Sequence, residues 1–230
     1  GTAGLGNAFV GILLNTGPAN VTIGGTTPAA RNLISGNTFN GIVYGQGGGA
    51  GGGGTNHLVQ GNLIGTDASG GNAIPGQEKG IETVGVTSNI LIGGTTAASR
   101  NVVSGNDFFG IRFRGTGAGK VASGNYCGTN PAGDAPVPNG SYGIEVGASD
   151  VLVGGTAEGA GNLASGNGLN GINIFQAVGA VVQGNLVGTD ATGSFAIGNR
   201  TDGIVVGANG TIVGGINEGE ANTVAYNLGS

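Results

Sequence analysis

The sequence predicts an all-β protein, a right-handed parallel β-helix solenoid. Three observations predict it: an internal repeat of about 60 residues, short β-branched runs without a helical period, and 56 glycines in 230 residues. The repeat comes first, because a fixed period of this kind marks a solenoid or array. Ile-Gly-Gly-Thr at Ile23–Thr26 returns at Ile92–Thr95, as Val153–Thr156, and in altered form at Val213–Ile216. Asn-Leu-Ile-Ser-Gly-Asn at Asn32–Asn37 returns at Asn101–Asn106 and Asn162–Asn167, with a degenerate copy at Asn222–Asn227. Gly-Asn-Leu-Ile-Gly-Thr-Asp at Gly61–Asp67 returns at Gly124–Asn130 and Gly184–Asp190. The long unit divides into three coils of about 20 residues, which would give roughly eleven coils and a rod on the order of 50 Å at the spacing of parallel strands.

The apolar runs are short and β-branched: Val21-Thr22-Ile23, Leu33-Ile34, Ile90-Leu91-Ile92 and Val151-Leu152-Val153. They read as strands, and no run has the i, i+3, i+4, i+7 period of a helix. Gly-Asn, Ser-Gly-Asn and Gly-Thr-Asp between them are turn formers that reach positive φ. The pair Gly-Ile places Ile12, Ile42, Ile81, Ile111, Ile144, Ile172 and Ile204 inward as the expected core. The many Gly-Asn corners predict asparagine side chains stacked in an internal ladder that satisfies the turn amides. The chain reads as a single domain over 1–230, with GQGGGAGGGG at 45–54 as a glycine-rich loop pushed out of one coil.

Composition narrows the function classes. Only 8% of residues are charged and the formal net charge is −5, so no electrostatic footprint for nucleic acid is present. There is no run of 18 apolar residues to span a bilayer, and the opening GTAGLGNAFV lacks the charged and apolar regions of a signal peptide. The single cysteine, Cys127, stands where Ile64 and Val187 stand in sister repeats and reads as a core thiol. The tract Gly47–Gly54 lacks the Lys-Ser/Thr of a phosphate-binding loop.

The stretches Ile92–Asn106 (IGGTTAASRNVVSGN) and Gly184–Gly193 (GNLVGTDATG) resemble the repeats of bacterial secreted parallel β-helix proteins, a group similar to the pectate-lyase-like superfamily. The likeness covers nearly the whole chain. It implies an extracellular or cell-surface setting, and it implies either a carbohydrate-active protein or a stalk without activity. Fold alone does not choose between these.

The repeats serve as an internal control on candidate chemistry. Residues that recur in register read as structural. Asp67, Asn130 and Asp190 share one register and read as Asx-turn caps, too far apart to share a cation. Arg31 and Arg100 read as corner arginines on backbone carbonyls. His57, the only histidine, reads as a surface residue without a partner. Phe39 and Phe108 share a register with Leu169 and read as core. Off-register charges are the candidates for chemistry. Arg112 and Arg114 alternate on one strand with Phe113 inward, and with Lys120 they form the basic cluster. Phe109 replaces Asn40 and Asn170 and is expected to be exposed beside Arg112. The alternative catalytic set is Arg112, Arg114 and Glu82, and the substrate-binding set is Phe109, Arg112, Arg114 and Lys120. Glu82 and Glu145, taken as three coils apart, are too distant to act as a hydrolase pair. No metal-ligand spacing is found, and no cofactor is expected.

Neither end of the sequence carries an amphipathic cap, although solenoids normally need one. The expected function is therefore a non-enzymatic structural or adhesive extracellular module. Its expected partners are copies of itself through the terminal coils, or neighbouring coils of a longer parent protein. The alternative is a carbohydrate-active or carbohydrate-binding β-helix acting on an acidic polysaccharide along a lateral face. Neither a nucleic-acid partner nor a membrane span is expected.

Overall fold

A computed structural model describes residues 6–45 and 52–229. The fold is a right-handed parallel β-helix with three parallel sheets of seven strands each. Sheet A contains Ile12–Leu14, Asn40–Tyr44, Lys79–Thr83, Phe109–Phe113, Ile144–Val146, Ile172–Phe175 and Ile204–Gly207. Sheet B contains Thr22–Gly24, Gly54–Gln60, Thr87–Gly93, Lys120–Ser123, Val151–Gly154, Val181–Gln183 and Ile212–Val213. Sheet C contains Leu33–Ile34, Leu63–Ile64, Val102–Val103, Tyr126–Cys127, Leu163–Ala164, Leu186–Val187 and Thr223–Val224. Each coil contributes one strand to each sheet.

The coil is longer than the sequence reading expects. The register Ile12↔Ile42↔Ile81↔Ile111↔Ile144↔Ile172↔Ile204 runs through all of sheet A. One turn of the solenoid therefore takes about 30 residues rather than 20, and the 60-residue unit is two coils rather than three. Seven coils at about 4.8 Å per step give a rod of about 30 Å. The reason is steric and topological. Three strands and three corners must close each turn, and the corner loops use up the difference. The Gly-Ile pairs at the sheet A strands, from Gly11-Ile12 to Gly203-Ile204, mark the coil length, one per coil.

The expected isoleucine column is the core. Ile42, Ile81, Ile111, Ile144 and Ile172 are fully buried, together with Val59, Ile92, Val103, Cys127, Val153 and Val187 from the other sheets. Cys127 pairs Val103 and Ala164 in register, and burial pushes its thiol far up. It is a core side chain. In the last coil the inward positions are open: Val206, Val213 and Val224 are each between 44% and 48% exposed.

Two asparagine ladders run up the corners on either side of sheet C. In the first, Asn32, Asn62, Asn101, Asn125, Asn162, Asn185 and Asn222 each donate Nδ2 to the Oδ1 of the next, at 2.9–3.1 Å. In the second, Asn7, Asn37, Gln77, Asn106, Asn139, Asn167, Asn199 and Asn227 do the same at 2.7–3.0 Å, with Gln77 accepting at Oε1 and donating Nε2. Backbone groups join each rung: the Asn62 N–H donates to Asn101 Oδ1, and Asn101 Nδ2 donates to the Val59 carbonyl. Buried amides need partners, and the ladder supplies them in every coil.

The three faces differ. Sheet C is covered from outside by hairpins of its own chain, closed by the bridges Thr66↔Ala73, Thr129↔Pro136 and Thr189↔Ala196. Beneath them Leu63, Val102, Tyr126 and Leu163 form a second small core. Asp67 caps the first hairpin, accepting from the Ser69 hydroxyl and Asn72 Nδ2, and Asp190 and Asn130 cap the other two. The Asx-turn expectation matches the structure. Sheet B presents an outward aliphatic column, Leu58↔Leu91↔Val121↔Leu152↔Val181↔Ile212. Sheet A presents the charges.

Candidate functional site

On sheet A the outward column next to the buried isoleucines reads Val43, Glu82, Arg112, Glu145, Asn173, Val205 over six successive coils. Strand alternation turns these side chains outward, and stacking brings each within reach of its neighbours in the adjacent coils. Arg112 lies between two carboxylates, with Nη1 3.0 Å from Glu82 Oε1 and Nε 3.1 Å from Glu145 Oε1. Arg114 Nη2 reaches the same Glu145 oxygen at 2.7 Å. At the other end, Asn40 Nδ2 donates to Glu82 Oε2 at 2.8 Å, and Lys79 Nζ stands 3.1 Å from Glu78 and 3.9 Å from Glu82. Both carboxylates are buried, Glu145 at 4% and Glu82 at 8% exposure.

Aromatic rings flank this ladder. The Arg112 guanidinium sits 4.8 Å above the Phe109 ring, and Phe109 packs 5.6 Å from Tyr142 on the next coil. The Arg114 guanidinium lies 5.6 Å from Phe175 two coils on. Its path crosses Gly147, where a Cβ would stand 3.0 Å from the arginine side chain. A glycine there lets the arginine lie flat along the rod. Toward the first coils, Phe9 and Phe39 pack at 4.9 Å and line a shallow pocket of about 300 Å³ with Leu13, Val43, Lys79 and Glu82.

The structure brings together Glu82, Arg112, Arg114 and Phe109 as the sequence grouping expects. It adds Glu145, which the expected coil size had placed too far away. Glu82 and Glu145 are two coils apart, with Arg112 between them. Tyr142 and Phe175 were missed, since only the true coil length puts them beside the arginines.

Lys120 does not belong to this cluster. It faces inward on sheet B, in register with Ile90 and Val151 and 1% exposed. Its ammonium caps the carbonyls of Thr116, at 2.8 Å, and Gly117, and burial pushes it below the ordinary lysine value. His57 is likewise not a surface residue. It occupies the same inward column beside Ile90, with Nε2 2.8 Å from the Gly53 carbonyl and Nδ1 accepting from the Val21 N–H. Burial lowers its basicity despite that bond. Both are inward polar plugs that tie down the loop entering sheet B. Phe39 and Phe108 are exposed, at 39% and 46%, and not core. Their column precedes the strand, where the chain has not yet turned inward. Arg31 and Arg100 donate Nε to the Gly61 and Gly124 carbonyls, as corner arginines. Residues 46–51 of the expected glycine-rich loop lie outside the described residues.

Among the described residues no three His, Cys, Asp or Glu side chains converge as a metal site would require. No described helix is long and apolar enough to cross a membrane.

No protein-family model and no curated protein matches the chain. Among solved structures it is similar to the A-module of the Azotobacter vinelandii mannuronan C-5 epimerase AlgE4, at 13% identity and a TM-score of 0.41. The match covers 90% of this chain and 58% of the epimerase module, so the chain spans little more than half of that neighbour.

Proposed function

We propose that the chain is a non-catalytic, extracellular structural β-helix that stacks head to tail with further copies of itself. The observation that supports it best is the state of the lateral charges. Arg112 and Arg114 are engaged by Glu82 and Glu145 at hydrogen-bond distance, so the candidate base and its acidic partners neutralise one another between coils. An ion ladder of this kind joins successive coils. The ladders also have a direction. Every rung donates its side-chain amide N–H in one direction along the rod, so coils added head to tail continue the ladders and coils added head to head do not.

Negative-stain electron microscopy over a dilution series tests this. Rods growing in multiples of the single-chain length at high concentration are expected. Single short rods at every concentration would overturn it.

A second reading, binding of an acidic polysaccharide along sheet A, is favoured by the Phe109–Tyr142 pair beside Arg112. Phe109→Ala should then weaken retention on an immobilised uronan. Equal passage of both proteins through such a column removes this reading.

A further inference from the structure

The repeats mark a second site on a different face. At the sheet B corner, seven coils place Gly24, Gln60, Gly93, Ser123, Gly154, Gln183 and Gly214 in one register. The Gly-Gly-Thr loops project from alternate coils, and the coil between them fills the gap. In the first gap Gln60 Nε2 donates to the Gly93 carbonyl at 2.9 Å. In the third, Gln183 Nε2 donates to the Gly214 carbonyl at 3.1 Å. In the middle gap the filler is Ser123. Its hydroxyl turns to the Ala160 carbonyl at 2.9 Å, and no side chain of a described residue donates to the Gly154 carbonyl.

A cleft of about 540 Å³ lies over this middle gap and reaches Thr26 and Gln60 of the first. Its floor is Leu91, Val121 and Leu152 of the outward aliphatic column, and its rim includes the hydroxyl residues Thr95, Thr96 and Thr156. No ionisable side chain lines it. The other two gaps show what such a gap accepts: a neutral amide N–H aimed at the glycine carbonyl.

We propose that the cleft over Ser123 binds a neutral acetamido sugar. The acetamido N–H supplies the donor that Gln60 and Gln183 supply elsewhere, its methyl group lies on Leu91, Val121 and Leu152, and the ring hydroxyls meet the threonine rim. Absence of charge in the walls disfavours a uronate, whose carboxylate would lose hydration without a counter-ion. This site is independent of the sheet A face and of assembly.

Methyl-resolved NMR titration with N,N′-diacetylchitobiose tests it, with cellobiose as the sugar lacking the acetamido group. Saturable shifts of the Leu91, Val121 and Leu152 methyls with the acetylated sugar alone are expected. Ser123→Gln restores the residue used in the sister coils, so the fold should persist, and affinity should fall at least about tenfold. The methyl spectrum itself reports folding of that variant. Absence of shifts at millimolar sugar, equal response to cellobiose, or unchanged affinity in Ser123→Gln would each overturn the proposal.

Discussion

Asn101 donates its Nδ2 to Asn125 Oδ1 at 2.9 Å, although the two residues open different sequence motifs. Asn101 begins Asn-Val-Val-Ser-Gly-Asn and Asn125 lies in Gly-Asn-Tyr-Cys-Gly-Thr-Asn. The motifs occupy one corner in alternate coils, and this equivalence makes the ladder continuous. Truncating Asn125 would leave the Asn101 amide and the Ile92 carbonyl without their side-chain partner, while Asn162 Oδ1 would keep only the backbone N–H of residue 125. Leaving buried polar groups unsatisfied costs about 1–3 kcal/mol each. Asn125→Ala should therefore lower stability by about 3 kcal/mol in urea unfolding. A change within error would show that water takes over the rung.

Lys120 should be a net liability at neutral pH. It stands between Ile90 and Val151 without a counter-ion, and burial lowers its folded-state value from 10.5. A depressed lysine binds its proton less well in the folded than in the unfolded chain. The penalty is full below the folded value and vanishes as pH rises to 10.5, so stability should increase with pH over that window. Lys120→Met should remove this slope and raise stability at pH 7 by about 1–3 kcal/mol. Thermal melts of both proteins from pH 7 to 10.5 check it, and a less stable methionine variant would mean that the two capped carbonyls matter more than the buried charge.

Removing the guanidinium from the sheet A ladder should expose its purpose. Arg112→Met leaves Glu82 and Glu145, both buried, without the cation between them. Breaking a largely buried pair costs about 3 kcal/mol. The loss should be smaller when Glu82 and Glu145 are both replaced by Gln, because no charge is then left unpaired. Urea unfolding of Arg112→Met in the two backgrounds reads this directly. An equal loss in both would assign the arginine a packing role on Phe109.

The hairpin cap at Asp67 predicts an acid transition. Hydrogen bonds from the side chains of Asn72 and then Ser69 hold its carboxyl down to about 2, from 3.8. A depressed carboxyl adds stability that is present above 3.8 and lost as pH falls through about 2. Asp67→Asn copies the residue at Asn130 in the sister hairpin, so it should fold normally and flatten the melting temperature between pH 4 and 2. An unchanged acid slope would place the transition in other carboxyls.

The solenoid class, the isoleucine column and the asparagine ladders are legible in the repeats alone, because each follows from residues recurring at fixed phase. The sequence also singled out Arg112, Arg114, Glu82 and Phe109, since a break in a repeat is visible without coordinates. The number of residues that close one turn is set in three dimensions. Strand pairing between coils sets that number, and two different motifs sharing one corner concealed it. From that single correction came the placement of Glu145 against Arg112, of Tyr142 against Phe109, and of Ser123 in the glutamine register. The inward turn of Lys120 and His57 was equally beyond the sequence. Polar type argues for an outward position, whereas the alternation of the strand, fixed by pairing with Ile90, turns both side chains into the core.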